Sequence, residues 1–178
     1  MAMMKPSFQA LFIGGAFLLH FAATVPAEAT QAKRQAVDLE LALGVDVSGS
    51  IDEDEALLQR NAYIKAFRSP DIFKAIRSGF LRRIAVMYYE WAGFGHAKVI
   101  AGWSVIHDKQ SAHAFAVRLT LNEPQTARRT AISQAIESGV RFIESNSFEG
   151  TRRAIDISGD GPNNWGDYVI VARDMAVK

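Results

Sequence analysis

The chain has 178 residues, of which 49% are hydrophobic and 22% charged, a length and composition typical of one globular domain with its own core. The 20 basic and 19 acidic residues give a formal net charge of +1, so there is no electrostatic reason to expect a nucleic-acid partner. The sequence contains no cysteine, which excludes disulfides, thiolate catalysis and cysteine-based zinc sites.

The N-terminus has the pattern of an export signal. Lys5 provides the positive charge, residues 10–23 form a short apolar core, and Ala-Glu-Ala at residues 27–29 is a small-x-small cleavage site. Because the apolar run is short for a bilayer, cleavage is favoured over a retained anchor, and no membrane span is expected afterwards. We therefore predict a periplasmic or secreted protein. The predicted organisation is a signal peptide over residues 1–29, a short polar leader over residues 30–36 and one domain over residues 37–178.

The pattern predicts a first strand over residues 37–45. Its first half alternates, which indicates one buried face and one exposed face that carries Asp38 and Glu40. Its second half is apolar on both faces, as is typical of a central strand in a parallel sheet.

A helix is predicted over residues 52–67. Asp52 and Glu55 can form a capping box at its start, and acidic residues fill its first turn. The pair Ser69 and Pro70 is predicted to end it. The remaining predicted elements are, in chain order, strands over residues 83–91 and 98–105, helices over residues 107–120 and 130–144, a strand over residues 153–157 and a helix over residues 168–178.

This order of elements favours an α/β fold. The short glycine-bearing link over residues 92–97 predicts an antiparallel hairpin between the second and third strands. The whole pattern predicts a Rossmann-like three-layer sandwich, with a mostly parallel sheet and one antiparallel edge strand. Ligands of such sheets bind at the carboxyl ends of the strands, where the loops over residues 46–50 and 158–164 are both placed.

Hard oxygen ligands are concentrated in the first of these loops. Asp46, Ser48 and Ser50 alternate directly after the apolar strand, so that their side chains can converge on one side of a turn. Such oxygens suit Mg²⁺ or another small divalent cation. Taken alone, the pattern is equally typical of a turn that enters a helix.

Two further residues complete a resemblance. Together with Thr130 at a helix start and Asp160 in Ser-Gly-Asp-Gly, this loop resembles the metal-ion-dependent adhesion site of von Willebrand factor A domains. The resemblance implies that Ser48, Ser50 and Thr130 offer hydroxyl oxygens to the metal. It also implies that Asp46 and Asp160 hold the metal directly or through water. The implied cofactor is Mg²⁺ (or Mn²⁺ or Ca²⁺), and the implied partner is a protein that offers a carboxylate to an open coordination position.

The sequence departs from that family in two respects. Family members often carry glycine just before the threonine, where this chain has Arg128 and Arg129; these cations either weaken the metal site or attract an acidic partner. A complete von Willebrand factor A sheet normally has six strands, whereas four are predicted here, so the chain is expected to be a fragment without its C-terminal strands. Residues 46–59, the Glu90-Trp91 pair and residues 157–164 also resemble an uncharacterised exported alphaproteobacterial family of the same superfamily.

The function predicted from these patterns is that of an exported, non-enzymatic binding module. A hydrolase acting through Ser48 or Asp46 is one alternative, although the G-x-S-x-G pattern is absent and no second acid follows Asp46 at two residues. A structural domain with a vestigial metal site is another. Asn163 and Asn164 either support Asp160 or favour the turn, and Trp165 is a candidate for contact with a partner.

Overall fold

The structure is a computed structural model that describes residues 33–178. The predicted signal peptide and the first three residues of the predicted leader lie outside the described residues, and the last two residues of that leader belong to β1. The elements in chain order are β1 (Gln35–Asp46), α1 (Glu53–Arg68), α2 (Pro70–Arg77), β2 (Ile84–Trp91), β3 (Ala97–Ile106), α3 (Lys109–Arg118), α4 (Ile132–Glu144), β4 (Phe148–Ser158) and α5 (Val169–Ala176).

The four strands of residues 33–178 form one sheet in the order β3-β2-β1-β4. β1 is parallel to both of its neighbours, with Leu39 opposite Ile84 on β2 and opposite Arg152 on β4. β2 and β3 form an antiparallel hairpin. The structure therefore confirms the α/β sandwich with a mostly parallel sheet and one antiparallel edge strand. The central place of β1 explains why its second half is apolar on both faces.

Helices cover both faces of the sheet. On one face, Val86 and Tyr88 of β2 belong to a cluster that includes Phe67 of α1 and Phe115 of α3. These two phenylalanine rings meet edge to face, with centroids 4.7 Å apart. The two helices therefore close this side of the core together.

The other face is covered by α4. Met87, Tyr89 and Trp91 of β2 pack there with Ala135 and Ile143. The Tyr89 hydroxyl donates a hydrogen bond of 2.8 Å to the backbone carbonyl of Ala135, which satisfies its polar group inside the core. No helix within residues 33–178 has the length and apolar character needed to cross a membrane.

The junction of α1 and α2 corrects one prediction. Asp52 and Glu55 form the predicted capping box at the start of α1. Ser69 and Pro70 end α1 as predicted, but they also begin α2, a helix that was not predicted from the sequence. The Ser69 hydroxyl accepts a hydrogen bond of 3.1 Å from the backbone N–H of Asp71. Pro70 occupies the first helical position, where proline is tolerated because a backbone N–H there would have no partner within the helix.

Glu40 is a second correction, because its side chain is buried rather than exposed. It accepts hydrogen bonds of 2.6 Å from the Asn146 side chain and 2.6 Å from the Gly150 backbone, and the Arg153 guanidinium lies 3.4 Å away. These donors come from β4 and the turn before it. β4 begins at Phe148, five residues before the predicted start at residue 153, and its additional residues provide the Gly150 donor. The burial of this carboxylate is offset by partners more than 100 residues away in the sequence.

Candidate metal centre

The candidate centre lies at the carboxyl end of the sheet, where β1 runs into a tight turn. The Val47 backbone still bonds to the carbonyl of Trp91 at 2.9 Å, so the turn starts from a fixed position on β2. Asp46 then folds back on the turn, since its Oδ1 accepts a hydrogen bond of 2.7 Å from the Ser48 backbone. The backbone N–H of Ile51 closes the turn by donating to the Ser48 carbonyl.

A chain of hydroxyl contacts joins the three predicted pieces. Thr130 Oγ1 donates to Ser48 Oγ at 3.1 Å, and Ser48 Oγ lies 3.2 Å from Ser50 Oγ. Ser50 Oγ donates to Asp160 Oδ1 at 2.9 Å. The structure therefore brings all five predicted side chains into one cluster, although three separate loops provide them. Their role as metal ligands stays a prediction.

Asp46 is the most unusual member of this cluster. Its side chain is buried, and its Oδ2 has no hydrogen-bond partner within residues 33–178. Burial raises the pKa of the Asp46 carboxyl, hydrogen bonds from Ser48 oppose that shift, and the negative charge of Asp160 adds to it. A buried carboxylate oxygen without a partner is costly unless a cation compensates it.

Glycine at position 159 keeps the space beside this oxygen open. A Cβ added at Gly159 would lie 3.0 Å from Asp46 Oδ2 and 3.2 Å from the Trp91 ring. This role of Gly159 was not predicted from the sequence. Its position directly before Asp160, at the end of an apolar strand, is where glycine often marks a close approach of another group.

The second loop is fixed by two asparagines. Asn164 Oδ1 accepts a hydrogen bond of 2.9 Å from the Thr130 backbone, and Asn163 Oδ1 accepts one of 2.8 Å from the Ile132 backbone. The N-cap residue of α4 is Ala131, whose methyl side chain cannot accept a hydrogen bond from the first turn. Asn163 instead accepts from the backbone N–H of Ile132, which would otherwise lack a partner. Thr130 is therefore not a helix cap, and the asparagines support its loop rather than Asp160.

Arg128 and Arg129 do not prevent this loop from approaching the sheet. Ala131 N–H donates to the Ala92 carbonyl at 3.1 Å, next to Gly93. A Cβ added at Gly93 would lie 2.5 Å from the Arg128 carbonyl oxygen. The loop that carries Arg128 can therefore approach the end of β2 closely because position 93, after that strand, is glycine. This residue, too, was not identified from the sequence.

The guanidinium of Arg129 contacts an aromatic ring rather than the oxygen cluster. Its Cζ is 4.0 Å from the centre of the Trp165 ring, a cation–π contact. No hydrogen bond within residues 33–178 joins the side chain of Arg128 or Arg129 to the five predicted ligands. The structure thus gives no support to a vestigial site in which an arginine has replaced the metal.

The oxygen atoms of this cluster are better suited to binding a small divalent cation than to nucleophilic catalysis. No group of three or more His, Cys, Asp or Glu side chains within residues 33–178 forms a metal site, so a cation at this position would depend on hydroxyl oxygens. Two carboxylates with three hydroxyls are hard ligands, as Mg²⁺, Mn²⁺ and Ca²⁺ prefer. The Ser48 hydroxyl bonds to the hydroxyls of Thr130 and Ser50, and no histidine within residues 33–178 bonds to it, so a histidine general base for Ser48 is not seen in this part of the chain.

Several solved structures are similar to this chain. Proximal thread matrix protein 1 (PTMP1) from the mussel byssus aligns with a TM-score of 0.53 and 16% identity, over 80% of this chain and 34% of that chain. An aerotolerance-related membrane protein from Bacteroides fragilis NCTC 9343, with multiple mutations to serines, aligns with a TM-score of 0.51 and 21% identity, over 78% of this chain and 62% of that chain. This chain thus spans about a third and about three fifths of their respective lengths.

A further structure of the mussel protein is described as having a zinc-occupied MIDAS motif, and it aligns with a TM-score of 0.48 and 18% identity over 74% of this chain and 31% of that chain. The zinc is a property of that protein. A comparison with curated proteins finds no match. The neighbours show the von Willebrand factor A fold, in agreement with the resemblance. The family model described as "Protein of unknown function (DUF1194)" matches residues 36–178, and the chain belongs to this family.

Proposed function

We propose that this chain is an exported protein-binding module that depends on a divalent cation, and that the cation bridges to an acidic group of a partner protein. The observation that carries this proposal is the convergence of five oxygen-bearing side chains, one of which has a buried, unpartnered carboxylate oxygen. The proposed ligands are Asp46, Ser48, Ser50, Thr130 and Asp160.

The roles of these side chains differ. Asp46 and Asp160 supply two negative charges that balance a dication, while the hydroxyls of Ser48, Ser50 and Thr130 add neutral oxygens. When bound, the cation would act as an electrophilic anchor for an additional oxygen ligand. Ser50 and Thr130 also line an open depression of about 560 Å³, which gives a ligand from outside access to the cluster. The arrangement therefore suits the binding of a carboxylate better than its chemical conversion.

Export and the choice of metal belong to the same proposal. The pattern of residues 1–29 supports passage to the periplasm or the exterior, where the partner would be another exported or surface protein. Mg²⁺ is the first candidate because the ligands are hard and compact, with Mn²⁺ and Ca²⁺ as alternatives.

The test is a calorimetric titration of the purified protein with Mg²⁺ and then Mn²⁺. We expect saturable binding at one site in the wild type. The variant Asp46→Asn removes the charge but keeps the oxygen that accepts from Ser48, so the turn should persist while cation binding is lost. Asp156→Asn is the matched control, because Asp156 is exposed on β4 and its side chain forms no hydrogen bond within the described residues.

Circular dichroism establishes that each variant is folded. Unchanged cation affinity in Asp46→Asn would show that the ligand assignment is wrong. A folded wild type that binds neither cation would reject the proposed function as a whole.

A further inference from the structure

We propose that Arg128 and Arg129 form a second anion-binding point beside the metal centre, so that the partner segment carries two neighbouring carboxylates. One carboxylate would bind the cation and the other the guanidinium groups. This inference rests on the proposed function and names the partner chemistry of the same site.

The first observation is that these two cations lack acidic neighbours. Within residues 33–178, salt bridges join Arg60, Arg153 and Arg173 to carboxylates, but no acidic oxygen lies within 4 Å of either Arg128 or Arg129. Both side chains are exposed. Two adjacent uncompensated cations create a positive potential that a carboxylate from another molecule can neutralise.

The second observation is that Arg129 is held in place at an energetic cost. Its φ of 71° lies in the left-handed region, which non-glycine residues seldom adopt. The cation–π contact with Trp165 places the Cζ of its guanidinium 4.0 Å from the ring centre. A guanidinium that contacts an aromatic ring can still donate N–H groups to a carboxylate in a bidentate manner.

The third observation is the position of the pair relative to the proposed ligands. The open depression of about 560 Å³ is lined by both arginines together with Ser50 and Thr130, so the arginines and two of the proposed metal ligands border one space. A single small carboxylate fills little of such a volume. Two neighbouring acidic side chains on one peptide segment match its two positive attachment points, the cation and the arginine pair.

The same geometry has a consequence for the cation itself. Arg128 and Arg129 place positive charge near a bound dication and disfavour it when no partner is present. A second carboxylate neutralises that charge, so the cation and a segment with two acids should each increase the affinity for the other, as linkage requires.

The experiment measures the affinity of labelled, end-blocked peptides by fluorescence anisotropy at saturating Mg²⁺. The peptides have the sequence Gly-Gly-X-X-Gly-Gly, where X-X is Asp-Asp, Asp-Asn, Asn-Asp or Asn-Asn. We expect the wild type to bind Asp-Asp about 5- to 10-fold more tightly than either single-acid peptide, as for a partly exposed charged contact. In the double variant Arg128→Gln/Arg129→Gln this preference should disappear, while the affinity for single-acid peptides stays within about twofold.

Arg82→Gln is the matched control. Arg82 is also exposed and also has a positive φ, of 55°, but it precedes β2 and so lies at the opposite end of that strand from the candidate centre. This variant should retain the wild-type preference. In the absence of peptide, calorimetry should show that Arg128→Gln/Arg129→Gln binds Mg²⁺ about two- to fivefold more tightly than the wild type does.

Equal affinity for one-acid and two-acid peptides would overturn the inference and leave the proposed function intact. So would a preference for two acids that persists in Arg128→Gln/Arg129→Gln or disappears in Arg82→Gln. Calorimetry without peptide tests cation binding separately from the peptide assay. A folded wild type that binds no cation would reject both the proposed function and this inference.

Discussion

Arg129 adopts a backbone conformation that usually belongs to glycine, at a position where von Willebrand factor A domains often carry glycine. A non-glycine residue in the left-handed region costs about 1–2 kcal/mol. The neighbouring residues impose this conformation, because Ala127 bonds to the Val47 carbonyl at 2.9 Å and Ala131 bonds to the Ala92 carbonyl at 3.1 Å. The stacking of its guanidinium on Trp165 offsets part of the cost.

Two small substitutions at position 129 should therefore differ in their effect on the free energy of unfolding. Arg129→Ala and Arg129→Gly both lose the contact with Trp165, but only glycine removes the strain. We expect Arg129→Gly to exceed Arg129→Ala in free energy of unfolding by about 1 kcal/mol, as measured by urea denaturation. The same pair at Arg82 should rank in the same order, since its φ is 55°. Equal stability of the two variants at position 129 would show that the strain is absent.

The candidate site was only partly predictable at the scale of residues. The alternation of Asp46, Ser48 and Ser50 after an apolar strand identifies an oxygen-rich turn from local sequence alone. The roles of Asn163 and Asn164 could not be resolved in that way, because the backbone groups that they accept from lie 31 and 34 residues earlier. Which turn an asparagine supports is decided by tertiary placement rather than by local preference.

At the scale of elements, a buried ion pair connects three parts of the fold. Arg60 of α1 donates from Nε to Glu90 of β2 at 3.0 Å, and its Nη2 contacts the same carboxylate. Nη1 donates to the carbonyl of Asn122 in the segment between α3 and α4. Both charged side chains are only 3% exposed. The pair therefore ties α1, which follows the first site loop, to the segment that leads to Thr130.

Removing one partner of this pair should be much more damaging than removing both. Arg60→Met leaves the Glu90 carboxylate buried without a counter-charge, and Glu90→Leu leaves the guanidinium in the same state. Each single variant should lose about 3–5 kcal/mol of free energy of unfolding. The double variant Arg60→Met/Glu90→Leu should lose less than either single variant, as determined by a double-mutant cycle in urea. Additive losses would show that the two charges are not coupled.

The elements that the sequence predicted well are those with a clear local signal. The capping box of Asp52 and Glu55 starts α1 at the predicted position. In contrast, α2 was missed because Ser69 and Pro70 signal both the end of one helix and the start of another. Glu40 was predicted to be exposed because alternation assigns charged residues to the solvent face, and its stabilising donors on β4 are invisible to a local pattern.

At the scale of the whole molecule, the candidate site and the core have opposing requirements. The core is closed by apolar packing on both faces of the sheet. The Asp46 carboxylate, buried beside that core with an unpartnered oxygen, works against stability in the absence of a cation. Such a local conflict between burial and charge is typical of residues retained for binding rather than for folding.

The order of thermal stability should therefore invert when a cation is added. Without metal, Asp46→Asn should melt above the wild type, because a buried neutral amide costs about 1–2 kcal/mol less than an unpartnered carboxylate, or about 2–8 °C for a chain of this size. With Mg²⁺ at about 100 times its dissociation constant, the wild type gains about 2.7 kcal/mol and the variant gains nothing. The wild type should then melt at or above the variant, while Asp156→Asn follows the wild type under both conditions. Differential scanning calorimetry with and without Mg²⁺ measures these shifts. An equal increase in Asp46→Asn would place the cation elsewhere, and a less stable Asp46→Asn without metal would show that the carboxylate stabilises the fold by itself.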